Sequence, residues 1–217
     1  MLNLSIVTIV IIAANVVISL KGFDDRSFFE RYKFNVGSIR RGEQIRMFSS
    51  GFLHANTTHL FMNMFTLYFF ADTVVNGLSN IYFVIIYIAS LIFGNLLSLY
   101  FHKDEYWYSA IGASGAVTGI LYSAILLRPD MSLYMFFVPI PIPGYIFGIG
   151  YLLYSIYGMK NRIGNIGHDA HFGGAIGGYL ITLILKPSLL ETDLAYVALL
   201  AIPIIILFVM HKTGKLS

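Results

Sequence analysis

The chain has 217 residues, of which 57% are hydrophobic and only 12% charged, whereas soluble domains carry about 25% charge. So little charge cannot coat a water-facing surface of this size. With a mean hydropathy of +0.75, the composition excludes a soluble globule, a collagen, a coiled coil and a disordered tail. Cysteine is absent and the net charge is +3. Disulfides, thiolate nucleophiles, Cys-zinc sites and iron–sulfur clusters are therefore excluded, and the basic residues form no run suited to nucleic acid.

A bilayer core of about 30 Å asks for roughly 20 apolar residues per helix. Residues 2–20 are uncharged and apolar, and Lys21 ends them. A secretory signal is the competing reading. No basic segment precedes the run and no clean small-x-small site follows it, so a retained first helix is expected. Residues 21–53 hold seven basic and four acidic residues, interleaved with Phe23, Phe28, Phe29, Tyr32 and Phe34. This composition predicts a long loop with short amphipathic helices at the interface. A second span is expected at 58–76, with Asn56 or Thr57 as its N-cap. A third covers 81–101 and is closed by His102, Lys103, Asp104 and Glu105. The fourth opens in the glycine-rich stretch 112–119 and ends at Arg128-Pro129. Pro139, Pro141 and Pro143 delay the fifth helix to 144–159. The sixth runs 169–185, up to Lys186-Pro187, and a shorter seventh runs 194–210. The expectation is an all-α polytopic membrane protein of seven helices in a single domain, 1–217.

Polar groups inside membrane helices are expensive, so each invites a functional reading. His59 and Asn63 share one face of span two. Ser114 sits in Gly112-Ala113-Ser114-Gly115, and His171 in Ala170-His171-Phe172-Gly173-Gly174. Spans two, four and six run the same way. Measured back from their far ends, Asn63, Ser114 and His171 lie about 21–22 Å in, at one common depth. Gly115/Gly119 and Gly174/Gly178 form small-xxx-small faces that let two helices approach closely. Such an approach brings Ser114 towards His171. A serine hydroxyl needs an adjacent base, which a neutral imidazole supplies, and the oxyanion formed needs fixed donors. His59, Asn63 and the Ser114 N–H are the candidates. Irregular backbone at Gly112 and Ala113 implies protein or a water-filled cavity beside it.

Together these segments resemble the rhomboid family of intramembrane serine proteases. The pattern is His54-Ala-Asn-Thr-Thr-His59-Leu-Phe-Met-Asn63, then Gly112-Ala-Ser114-Gly115, then Ala170-His171-Phe-Gly-Gly174. The stretch from Arg46 to His54 also looks like the family's approach to helix two. The likeness covers residues 1–185, a six-helix core with its interfacial loop at 21–53. Residues 186–217 add the seventh helix seen in part of the family. The resemblance implies a Ser114–His171 dyad without a third carboxylate. It also implies an oxyanion and substrate-binding site at His59, Asn63 and Gly112, a flexible cap at 160–167, and cleavage of transmembrane substrates near their ends. Two features depart from it. Thr118 stands where many members carry a tyrosine that packs on the catalytic histidine. Twelve of the fourteen Lys and Arg fall on the side of the first loop and the C-terminal tail, which the positive-inside rule assigns to the cytoplasm. The resemblance places that side outside a cell membrane, and this is the orientation expected here.

Blander readings stand beside these. Taken singly, Gly-x-Ser-Gly is helix packing, and His59, Asn63 and His171 are interhelical hydrogen-bonding groups. His168 and His171, three apart, invite a metal, but no His-Glu-x-x-His is present. No metal or cofactor is therefore expected. His168 is expected to line the mouth of the site, His54 to brace the first loop, and Asp169 to sit at a helix start. The expected partners are transmembrane protein substrates and the lipid bilayer, with no nucleic acid. The competing functions are a catalytically silent rhomboid-like protein that binds transmembrane clients, and a small transporter. A transporter predicts a repeat or a line of charges through the spans, and the sequence has neither.

Overall fold

The computed structural model describes residues 4–135, 138–164 and 166–216. Helix α1 (Ile6–Asp24) is capped by Ser5, whose hydroxyl accepts the Thr8 N–H. The first loop then folds into α2 (Arg26–Tyr32), strand β1 (Phe34–Asn35), α3 (Val36–Arg40), α4 (Arg46–Ser49) and a 3-10 turn (Ser50–Phe52). The expected interfacial helices are thus present. They are held by the buried Arg46, which reaches the Glu43 carboxylate and the carbonyls of Glu30 (2.8 Å) and Lys33 (2.9 Å). Phe34, Val36, Ile39 and Met47 make a small core of their own beneath this loop.

The long helices follow: α5 (Thr57–Gly77), α6 (Asn80–Phe101), α7 (Ser114–Leu127), α8 (Gly144–Asn161), α9 (His168–Leu185) and, after the short α10 (Leu189–Thr192), α11 (Leu194–Lys212). Asn56 caps α5 by accepting the His59 N–H at 2.8 Å. Strand β2 (Ser109–Ala110) pairs antiparallel with β1 and ties the loop after α6 to the first loop. Between α7 and α8 lies an antiparallel pair, β3 (Ser132–Met135) with β4 (Val138–Pro143). The sequence reading did not anticipate it, because the alternating prolines read only as helix breakers.

Among the described residues, α1, α6 and α11 alone are long and apolar enough to cross a membrane on their own account. The others differ from the sequence expectation for a physical reason. Helix α7 has 14 residues, about 21 Å, and every residue from Gly115 to Leu126 is buried. A helix wrapped in other helices needs no lipid-facing stripe, and the chain enters it through an irregular segment already inside the protein. Around it, α9 presents two glycine faces. Gly174 and Gly178 lie against the Gly115 and Gly119 carbonyls of α7, and Gly173 and Gly177 lie against Phe93, Gly94 and Ser90 of α6. The first contact is the one the small-xxx-small pattern predicts. The second was not read from the sequence. Deeper in, Thr182 donates to Ser123 at 2.8 Å, joining α9 to α7. Helix α11 packs Leu200 and Leu207 into the cluster of Tyr122, Ile125, Leu152 and Tyr179, and the Tyr179 hydroxyl donates to the Val197 carbonyl.

Candidate active site

Ser114 is the first residue of α7, and three contacts fix the segment that delivers it. Gly112 donates its N–H to the Ser50 carbonyl at 3.0 Å. Ala113 donates to His54 Nε2 at 3.4 Å. His54 Nδ1 meets Ser19 Oγ at 2.8 Å, and that hydroxyl donates onward to the Phe52 carbonyl. With its Nε2 accepting, neutral His54 carries its proton on Nδ1, and the chain of donors runs one way from Ala113 into the first loop. His54 is fully buried. It braces the first loop as expected, and it also braces the entry to Ser114.

Gly112 has φ +120°, a conformation that L side chains rarely adopt. Its missing side chain leaves room for an imidazole. A Cβ there would stand 2.7 Å from His59 Cε1, 2.9 Å from His59 Nε2 and 3.8 Å from Ser114 Oγ. The three expected residues Gly112, His59 and Ser114 therefore meet. The Ala55 N–H approaches His59 Nδ1 at 3.5 Å, a long contact that favours the tautomer with the proton on Nε2, the nitrogen beside Gly112. Asn63 is buried one turn on, and its Nδ2 donates to the His59 carbonyl at 3.1 Å. An amide nitrogen carries two hydrogens, so one donor remains.

His171 lies on the first turns of α9. Its approach to α7 is set by the backbone: the Ala170 carbonyl comes within 3.1 Å of where a Gly115 Cβ would be, and Gly174 sits on Gly115 itself. The hydrogen bond of the His171 ring goes to the Tyr151 hydroxyl of α8, at 2.9 Å from Nδ1. The two ring planes lie 20° apart with centroids separated by 6.1 Å, so the rings meet end-on through the hydroxyl. Among the described residues Ser114 Oγ and His171 share no hydrogen bond. Thr118 lies between the three helices and donates to the Ser114 carbonyl at 2.7 Å, with the Tyr151 hydroxyl 3.5 Å away. Tyr151 was not singled out in the sequence. Helix α8 holds four tyrosines, and nothing local distinguishes this one.

His168 differs from its expected place. It is buried, with its ring against Gly158 and Tyr154. It lines, with Asp169, His102 and Glu105, a cavity of about 520 Å³ that reaches His211 at the end of α11 and Leu216 in the tail beyond it. Asp169 falls in the first turn of α9, as expected, and its carboxylate lies 3.6 Å from His102 Nε2. Of the cap at 160–167, residue 165 lies outside the described residues.

The Rhomboid domain family model matches residues 41–188, which takes in α4 to α9 and every residue of this site. The chain belongs to the rhomboid family. It is 26% identical over 182 residues to RHOMBOID-like protein 12, mitochondrial, of Arabidopsis thaliana (77% of this chain, 54% of that protein). It is 30% identical over 140 residues to Rhomboid protein 1, mitochondrial, of Saccharomyces cerevisiae (63% of this chain, 40% of that protein). It is 27% identical over 159 residues to the rhomboid protein YdcA of Bacillus subtilis (70% of this chain, 71% of that protein). The chain thus spans about half or less of the first two relatives. Rhomboid membership and the apolar helices make this a multi-pass membrane protein in a lipid bilayer.

Proposed function

We propose that this rhomboid-family chain is an intramembrane serine endopeptidase, cutting transmembrane segments of membrane proteins with Ser114 and His171. The observation that carries the reading is the convergence at Gly112. A serine hydroxyl at a helix start and a histidine Nε2 lie around one glycine, and the helix that bears His171 is pressed onto Gly115, the residue after Ser114.

Each group then has a role. His171 Nε2 takes the Ser114 proton as Oγ attacks the scissile carbonyl. Negative charge collects on the carbonyl oxygen. His59 Nε2–H, the free Asn63 N–H and the unpaired N–H groups that open α7 stabilise it, aided by the positive end of that helix. The protonated His171 next delivers its proton to the leaving amine, which departs and leaves an ester on Ser114. A water, deprotonated by His171, hydrolyses the ester, releases a carboxylate and restores the serine. The absence of a resting Ser114–His171 hydrogen bond fits a site whose catalytic bonds tighten only when substrate is present. Residues 4–216 are read as one membrane domain, with α11 packed onto the core. The cell-membrane placement expected from the sequence gains nothing from the relatives, two of which are named mitochondrial.

The test needs no natural substrate. Fluorophosphonates react with base-activated serines and hardly with ordinary ones. Purified protein in detergent is expected to be labelled at Ser114. Ser114→Ala abolishes the labelling, and His171→Ala nearly abolishes it with the serine still present. Folded wild-type protein that resists labelling, by small reagents as well as large, sinks the protease reading and favours the client-binding alternative.

A further inference from the structure

We propose that Tyr151, backed by Thr118, is a positioning residue that holds His171 in the tautomer with a bare Nε2. Its consequence for catalysis rests on the protease reading, but its geometry does not.

The argument is a count of hydrogens. The Thr118 hydroxyl has one hydrogen, and it is spent on the Ser114 carbonyl at 2.7 Å. Towards the Tyr151 hydroxyl, 3.5 Å away, Thr118 Oγ1 can only accept. The arrangement that gives every contact a hydrogen, the long one included, has the phenolic hydrogen of Tyr151 on Thr118 and a lone pair of its oxygen facing His171 Nδ1 at 2.9 Å. Two lone pairs cannot face each other at that distance, so Nδ1 carries the hydrogen and Nε2 is unprotonated. The opposite arrangement has Tyr151 donating to Nδ1. It leaves the Thr118 and Tyr151 oxygens facing each other with no hydrogen between them. Thr118 is only 4% exposed, so water has little room to repair that arrangement.

The relay also explains the departure at Thr118. A threonine there is too short to pack on the imidazole. Its hydroxyl instead links the backbone of the nucleophile to a tyrosine supplied from α8, which meets His171 end-on through its hydroxyl rather than through its face. His54 uses the same device, a one-way chain of donors that fixes which nitrogen is protonated.

The tautomer is directly observable. With 15N-labelled histidine, the two ring nitrogens of a neutral imidazole separate widely, and the His171 pair is the one missing from His171→Ala. Wild-type protein is expected to show Nδ1 protonated. Tyr151→Phe keeps the ring but removes the acceptor, so the signal shifts towards Nε2–H. Forcing the wrong tautomer in a serine protease costs about 10⁴ in turnover; phenylalanine forces neither, so a smaller loss, roughly tenfold in fluorophosphonate labelling rate, is expected. Thr118→Val shifts the tautomer in the same direction and serves as the probe should Tyr151→Phe fail to fold. Thr118→Ser, which keeps the hydroxyl, keeps the wild-type signal. The double variant Tyr151→Phe/Thr118→Val shows no larger shift than Tyr151→Phe alone, because Thr118 acts through Tyr151. An Nε2–H signal in wild-type protein, or an Nδ1–H signal untouched by Tyr151→Phe, overturns the proposal. An Nδ1–H signal that Tyr151→Phe shifts, in protein that no fluorophosphonate labels, upholds the positioning and rejects the protease.

Discussion

Gly112 shows how one missing side chain shapes the candidate oxyanion site. Its φ of +120° and the imidazole edge of His59 both exclude a Cβ. Gly112→Ala is therefore expected to displace His59 and to depress labelling of Ser114. A variant labelled at wild-type rate would remove that packing from the site. Removing one oxyanion donor costs about 10²–10³ in turnover, and His59→Ala is expected to lose this much on a defined transmembrane substrate. Among the described residues the one hydrogen bond to the ring is the long Ala55 contact, so the melting temperature should change little. Asn63→Ala also deletes a buried bond to the His59 carbonyl, so turnover and melting temperature should both fall. Equal melting temperatures for the two variants, or full activity in both, would contradict these assignments. Ser114, His171, His59, Asn63 and Gly112 were legible because short motifs carry them. Tyr151 was not. It lies 33 residues from Thr118 and 20 from His171, and only the packing of α8 brings the three together.

Among the elements, the long helices lay where apolar runs and their charged ends put them, within two residues at most boundaries. Periodicity could not show which helices face protein. Glycine content did so in part, pointing to the α7–α9 contact but leaving the other glycine face of α9 unassigned. The β3–β4 pair escaped because prolines that break helices are also tolerated on edge strands, which a linear reading cannot separate. The glycine faces give a stability test. A Cβ at Gly174 would run into the Gly115 backbone, whereas one at Gly150 meets nothing within 4 Å. Gly174→Ala is expected to destabilise by at least the 1–3 kcal/mol typical of overpacking, about that much or more because backbone cannot swing aside. Gly150→Ala should be neutral or gain up to about 1 kcal/mol from helix propensity. Thermal unfolding in detergent compares them, and equal melting temperatures would mean that α7 and α9 are not in close backbone contact.

The molecule as a whole exposes hydrocarbon where water would not tolerate it. Ile6, Val10 and Val17 on α1 and Ile205, Phe208 and Val209 on α11 are each more than half exposed, which suits lipid. The C-terminal ends of α1, α6, α8 and α11 and the N-terminal ends of α5, α7 and α9 gather on one side, with the candidate site. Twelve of the fourteen Lys and Arg are on that side, and only Arg128 and Lys186 are opposite. The positive-inside rule reads this as a cytoplasmic face. The fold gives several of these cations another purpose. Arg46 and Arg40 bind backbone carbonyls of neighbouring segments, and Arg26 and Lys33 both pair with Glu30, where the hydrogen bond from Lys33 holds the carboxyl below its usual pKa. A loop built from its own cations is basic for a structural reason, whichever side it faces. These cations therefore do not by themselves mark the face as cytoplasmic. Ser27 tests the orientation: the residue is exposed on α2, cysteine is nearly isosteric with it, and the chain has no other cysteine. In bacterial cells expressing Ser27→Cys, an impermeant thiol reagent should label the protein without lysis. A cysteine introduced at Arg128, on the opposite side, should be labelled only after lysis. The reverse pattern would make the charge rule right and put the candidate site on the cytoplasmic side.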